Sequence, residues 1–232
     1  MAVLKYICYS YAIMSIAMEL GWLPGANYKN TRDIKKYKKV GFIDIDWKNY
    51  NYEKHLEAVK YFRPQATVAR DIEDVEMLEE ILEEANELSK WAANVIIVPK
   101  DLRLEPILPN IIPERYMLGY SVPSRYGGTK INKSAFSGRK VHLLGGHPNR
   151  QRLIADKLNV CSIDCNRMTI DAAFGDYFDD ETFTNSTFHT MLYGWLEHLQ
   201  IGQVNWFMGD IPIQKSLDEI QKEIDSLKSP FS

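Results

Sequence analysis

A closed parallel barrel of the TIM (β/α)8 type, compact and with a degenerate eighth unit, is the α/β fold class that this sequence predicts, on three observations. Short β-rich runs alternate with stretches of helical hydrophobic period, no composition break divides the chain, and 232 residues approach the roughly 250 of such a barrel. A composition of 45% hydrophobic, 25% charged and 12% aromatic residues excludes collagen, coiled coil and disordered classes.

The elements follow in order. The first strand is read at Leu4–Tyr9, and Ile13, Ile16, Ala17 and Leu20 recur at helical spacing ahead of Gly21. A strand at Val40–Asp46 precedes a helix carried by Leu56, Val59 and Phe62 and stopped by Pro64. The strand Ala66–Asp71 leads into Val75, Leu78, Leu82, Ala85 and Leu88, the apolar stripe of an amphipathic helix whose other face is acidic. Strands at Asn94–Lys100, Tyr116–Val122, Lys140–Gly146 and Asn159–Cys165 bring the count to seven. The eighth is placed at Gln203–Met208, in a poorly periodic region, and Ser216 with Glu219 forms a capping box ahead of Leu217, Ile220, Ile224 and Leu227. An open doubly wound sheet is the alternative, although no Gly-x-Gly-x-x-Gly turn follows the first strand. A single domain, residues 1–232, is expected.

Apolar runs such as Ile96 to Pro99 fall far short of the roughly 18 residues that cross a bilayer, so no membrane partner is expected. The start, MAVLKYICYSYAIMS, interrupts its apolar stretch with tyrosines and serines and reads poorly as a signal peptide, which gives a cytoplasmic address. Three cysteines make no disulfide scaffold. Cys161 and Cys165 lie four residues apart on one strand, about 13 Å, too far to share a tetrahedral zinc with His189. Neither metal nor cofactor is expected.

The net charge of −3 conceals a segregation: the stretch Asp71 to Lys90 alone carries −8, so the rest of the chain carries +5. The densest basic run, Lys29 to Lys39, interleaves Tyr28 and Tyr37. It reads either as a solvated loop or as a nucleic-acid site, with Lys29, Arg32, Lys35 and Lys36 as the candidate contacts and Arg125 and Arg150 beside them.

Alternation assigns strand faces. Taking Ile43, Ile45 and Trp47 as helix-facing puts Phe42, Asp44 and Asp46 inside the barrel. Taking Val68 and Ile72 as helix-facing puts Thr67, Ala69 and Asp71 inside, and Ile163 likewise puts Ser162, Asp164 and Asn166 inside. All four acids then sit at C-terminal strand ends, the rim where barrel enzymes keep their chemistry, although an aspartate there also serves as an N-cap. Tyr126-Gly127-Gly128-Thr129 and Gly145-Gly146-His147-Pro148 are glycine turns that permit close backbone approach to a ligand or simply turn tightly, and His147 reads as an exposed loop residue without a role.

The run His142-Leu143-Leu144-Gly145-Gly146-His147-Pro148 followed by Ser162-Ile163-Asp164-Cys165-Asn166 resembles the segment of tRNA-guanine transglycosylases in which a Gly-x-Gly-x-Pro turn precedes the catalytic aspartate. More closely, GFIDIDWKNYNYEKHLEAV, TVARDIE, VIIVPKD, YMLGYSVPSRYGGT and SIDCNRMTIDAAFGDYFD are similar to the compact phage and viral transglycosylases that place 7-deazaguanines in DNA. The likeness spans about Gly21 to Asp180. It implies base exchange in DNA, with tRNA as the alternative partner and a 7-deazaguanine such as preQ0 as the incoming base. By position it makes Asp164 the nucleophile, Asp71 the reader of the base edge, and Asp44 or Asp46 the general acid/base, the choice being open because the family's Asp-Ser-Gly-Gly is replaced by Asp44-Ile45-Asp46-Trp47. Pro99, Lys100, Ser121, Tyr126, Gly127, Gly128, Gly145 and Gly146 fall in strand-end segments that line the family's base pocket. The zinc cluster of the tRNA enzymes is absent, which favours the DNA-modifying branch. Glycosidic hydrolysis and binding of nucleic acid or free 7-deazaguanine without turnover are the competing readings.

Overall fold

The structure is a computed structural model that describes residues 3–8, 14–15, 17–18, 21–124, 127–165, 176–178 and 183–185. The chain divides into two compact units, residues 1–169 and 170–232, at a point where the sequence shows no break in composition.

The first unit holds a closed barrel of eight parallel strands in sequence order. They are β1 (Leu4–Ile7), β2 (Leu23–Asn27), β3 (Phe42–Asp44), β4 (Ala66–Val68), β5 (Val95–Ile97), β6 (Met117–Ser121), β7 (Val141–Leu144) and β8 (Val160–Asp164). β1 and β8 close the ring, with Tyr6 opposite Asp164. Helices α1 (Tyr52–Phe62), α2 (Leu78–Leu88), α3 (Leu108–Ile111) and α4 (Pro148–Ala155) lie between strands, and other connections carry 3-10 turns. In the second unit β9 (Asp176–Phe178) pairs antiparallel with β10 (Phe183–Asn185). Among the described residues no helix is long and apolar enough to cross a membrane.

Seven strands fall where the β-rich runs predict them, each shorter than its run because the chain leaves the ladder early at the rim. The eighth is β2, not Gln203–Met208, which lies outside the described residues, as do the Ser216–Glu219 capping box with its apolar stripe, and Ile13, Ile16 and Leu20 of the first helix. β2 reads Leu-Pro-Gly-Ala-Asn, with no β-branched or aromatic residue and a proline that cannot donate to a ladder, so no local signal marks it. The barrel interior requires this composition. A Cβ on Gly25 would lie 2.9 Å from Cys8 Sγ and 3.0 Å from Phe42 Cβ, in a core already filled by Tyr6 stacked on Phe42 at 5.1 Å and by the buried His142 at 5.8 and 5.4 Å from those rings.

Parallel partners in register point to the same side of the sheet, so the inward Phe42 carries Ala66 inward and Ile43 carries Thr67 outward. This reverses the face expected for β4. Val68, expected to face the helices together with Ile72, faces inward with Ala66, because β4 ends at Val68 and strict alternation does not carry across the irregular backbone to Ile72.

Thr67 instead serves the helix layer. Its hydroxyl donates to Ile43 O at 2.8 Å and so accepts from His55 Nε2 of α1 at 2.7 Å, leaving Nδ1 to accept from Tyr50 O–H at 3.2 Å. Burial holds the His55 imidazole down at about 4. α1 starts at Asn51, whose side chain accepts from Lys54 N, and stops at Arg63, left-handed at φ 45° before Pro64. α2 buries Leu78, Ile81, Ala85 and Leu88; Ile81 takes the place expected of Leu82, and Val75 belongs to the preceding 3-10 turn.

Thr67→Val strands both His55 Nε2–H and Ile43 O, and is expected to cost about 1–3 kcal/mol in urea unfolding at neutral pH. Because the folded His55 pKa lies below the unfolded value, its contribution is present above pH 6.5 and lost as pH falls toward 4. The stability difference between wild type and His55→Asn should shrink across that window.

Candidate active site

Inward positions at the C-terminal ends of the strands bring Asp44 of β3 and Asp164 of β8 above the Tyr6, Phe42 and His142 rings. Asp164 is 6% exposed. Its Oδ1 accepts from Gly145 N and from His142 Nε2, both at 3.1 Å, so the imidazole proton lies on Nε2, while Nδ1 meets the Ser162 hydroxyl at 2.8 Å. The Gln151 amide of α4 donates to Gly145 O at 2.8 Å and to Asp164 O at 2.9 Å, tying the turn after β7 to the end of β8. That turn needs both glycines: Gly145 and Gly146 have φ of 55° and 85°, and a Cβ on Gly146 would meet Val122 at 2.4 Å.

Asp44 is half-buried, and Ile45 N donates to its Oδ1 at 2.8 Å. Burial, with the negative charges of Asp164 and then Asp71, pushes its carboxyl up to about 7 against that one donor. The buried Cys8 thiol is raised by burial and by the same Asp44 and Asp164 charges.

Asp71 reaches the mouth from the loop after β4. Lys100 and Asp101 N–H groups both donate to Ile72 O, and Ile72 bridges Pro99, so Asp71 and Lys100 are presented together, Nζ 3.7 Å from Oδ2. Burial raises Asp71 to about 6, the Lys100 charge opposing it. Pro99 therefore supports this pair through the backbone. Asp71 and Lys100, with Ser121, Gly127, Gly128 and the exposed Trp47, line a cleft of about 390 Å³, within the range of small-molecule sites. Thr129 fastens its far wall, donating to and accepting from the Ser121 backbone.

Asp46 does not join these acids. β3 ends at Asp44, and past it Asp46 pairs with Lys29 at 2.6 Å and accepts from Lys48 N and Asn49 N, which holds its carboxyl below the usual range. It is the turn-capping aspartate of the pair. The same loss of alternation turns Trp47 into the cleft instead of toward a helix. Among the basic candidates, Arg150 donates to Pro123 O at 2.7 Å, Arg32 pairs with Asp33, and Lys35 and Lys36 are exposed. Arg125, Tyr126, Asn166 and His189 lie outside the described residues. His147 is no idle loop residue: its Nδ1 caps α4 by accepting from Asn149 N. Sequence reasoning missed His142 and Gln151. His142 stands two residues before Leu144 on β7, so the inward face assigned to Ser162, its in-register partner, was the signal that could have found it.

Fold and site define a parallel α/β barrel with three carboxylates of unequal environment at its C-terminal mouth. The chain belongs to a family described as a family of unknown function (DUF6610), whose model matches residues 17–228. No curated protein matches it.

The raised Asp44 pKa carries a stability consequence of definite sign. Between pH 4 and 7 the folded chain holds a proton that the unfolded chain has lost, so this contribution is present at pH 4 and fades as pH rises through 7. Asp44→Asn should match wild type near pH 4.5 and exceed it at pH 8 by about 1–3 kcal/mol, read from denaturant midpoints.

Proposed function

We propose that this barrel is a base-exchange transglycosylase that replaces guanine in DNA with a 7-deazaguanine through a covalent aspartyl-sugar intermediate. The observation that carries the reading is the inequality of the three acids: one locked by donors, one protonated near neutrality, one paired with a lysine beside a heterocycle-sized cleft. The fold is taken as a compact TIM-type (β/α)8 barrel. In support, helical residues follow each of the first seven strands, although after β2 and β6 they shrink to the 3-10 turns Arg32–Ile34 and Lys133–Phe136.

Exchange at C1′ with retained configuration needs two inversions, hence a protein nucleophile. Both donors to Asp164 converge on Oδ1, leaving Oδ2 as the attacking oxygen. As the Oδ2–C1′ bond forms, the C1′–N9 bond breaks, its electron pair leaves with guanine, and the Asp44 carboxylic acid supplies the proton that guanine takes. Asp44, now a carboxylate, removes the N9 proton of the incoming base, whose nitrogen displaces Asp164 from C1′. An acid whose pKa lies close to neutrality serves both half-reactions. Asp71 accepts from the N–H groups of the guanine-like edge, and Lys100 beside it donates. A guanine stacked in duplex DNA must be flipped out or presented on a single strand to enter. Rim cations such as Lys35 and Lys36 then hold phosphates.

Asp164→Asn keeps the shape but removes the nucleophile, and should lower incorporation of labelled guanine into DNA by about three orders of magnitude or more while DNA binding is unchanged. Wild type caught with DNA and a slow heterocycle should give a shifted band on a denaturing gel that the variant lacks. A parallel reaction on tRNA separates the two polynucleotides, and an unchanged rate in Asp164→Asn would reject the mechanism.

A further inference from the structure

The loops that follow β2 and β3 lie against α1 and leave an open groove of about 1110 Å³. Its walls carry two kinds of side chain that folding does not use. Lys35 and Lys54 are exposed cations. Tyr61 is 75% exposed and meets Phe62 edge to face at 4.7 Å. The wall opposite is built rigidly: the Tyr28 hydroxyl donates to Asn49 O at 3.1 Å and accepts from Asn51 N at 2.9 Å. Glu57 is the acid in the lining, so the groove is cationic overall.

We infer that this groove is a binding track for single-stranded nucleic acid, with phosphates on Lys35 and Lys54 and a base stacked on Tyr61. Cations beside an exposed ring fit a strand whose bases are unstacked, whereas a duplex offers phosphates but no ring faces. The eleven residues of α1 span about 16 Å, room for about two or three nucleotides of an unstacked strand, whose spacing is roughly twice the stacked rise of about 3.4 Å. The track starts at the C-terminal rim, because the loop that supplies Asn49 and Asn51 is the one that leaves β3 just after Asp44. Where the proposed base exchange holds, and only there, the strand in the groove is the flank of the reacting nucleotide. The basic run Lys29 to Lys39 thereby resolves into parts: Lys29 is occupied by Asp46 and Arg32 by Asp33, while Lys35 faces the track.

Fluorescence anisotropy of the full-length protein with a fluorescein-labelled 12-nucleotide single strand, in salt from 50 to 200 mM, tests the assignment, and these are settings on the order of those where phosphate contacts dominate. Tyr61→Ala should weaken binding about tenfold with no change in thermal unfolding, since the side chain is exposed. Lys35→Glu with Lys54→Glu should weaken it about tenfold or more and flatten the log–log salt slope by about 1.4, two phosphates at about 0.7 each. Lys140→Glu, next to the start of β7 and across the ring from the strands that flank α1, should change affinity less than about twofold. Binding that is absent in wild type, insensitive to salt, or unchanged in both groove variants overturns the track. Asp164→Asn separates the two readings: loss of exchange activity with intact strand binding bears on the chemistry alone, and strand binding without any exchange in wild type leaves the track standing while removing the transglycosylase.

Discussion

In a closed ring of eight parallel strands, partners across every ladder point to the same side, so the inward face of one strand sets the inward face of all. Here that face is set where Tyr6, Phe42 and His142 fill the interior, with Gly25 of β2 vacating the space they need. Everything above this layer inherits its parity. Asp44 follows Phe42 by two residues, Asp164 is paired with Tyr6, and both therefore rise above that ring layer, Asp164 buried and Asp44 half-buried. The site is a consequence of how the barrel is filled.

Three acids over such a floor cannot be equivalent, because each has different compensation. Asp164 receives an imidazole N–H and a backbone N–H. Asp71 has the Lys100 ammonium. Asp44, desolvated and repelled by the other two, has a single backbone donor, and its carboxyl is pushed up to about 7. Desolvation, mutual repulsion and unequal donors thus give residues of one chemical type three different environments. The backbone is arranged to hold the inequality: Gln151 fixes the Gly145 and Asp164 carbonyls, and Ile72 O draws the Asp71 and Lys100 segments together.

The same rim carries the carboxylates, a turn and a groove side by side. Within the loop after β3, Asp46 is spent on the turn and on Lys29, while Asn49 and Asn51 shape the neighbouring groove and cap α1. On the other side of the strand the His55–Thr67 contact welds α1 to β3 and β4, so the helix that borders the groove is anchored to the strands that bear Asp44 and precede Asp71.

Local pattern was enough for the α/β class, for seven strands, for α1 and α2, and for Asp44 and Asp164 at strand ends, because hydrophobic period, caps and β-branched runs act over a few residues; Asp71 comes from the loop three residues beyond the end of β4. The glycine turn at Gly127 and Gly128 was legible locally, whereas Lys100 and Ser121 came from the family resemblance; all four line one cleft at the rim. What tertiary structure decided was every choice that rests on a distant partner. β2 exists because neighbouring strands and a crowded interior demand a proline–glycine strand there, against its own propensities. Thr67 faces outward because β3 sets its parity, and Asp46 leaves the acid cluster because Lys29 lies within reach. His142 and Gln151 become partners of Asp164 only when β7 and α4 are brought beside β8, contacts of 13 to 22 residues in sequence that no local period encodes.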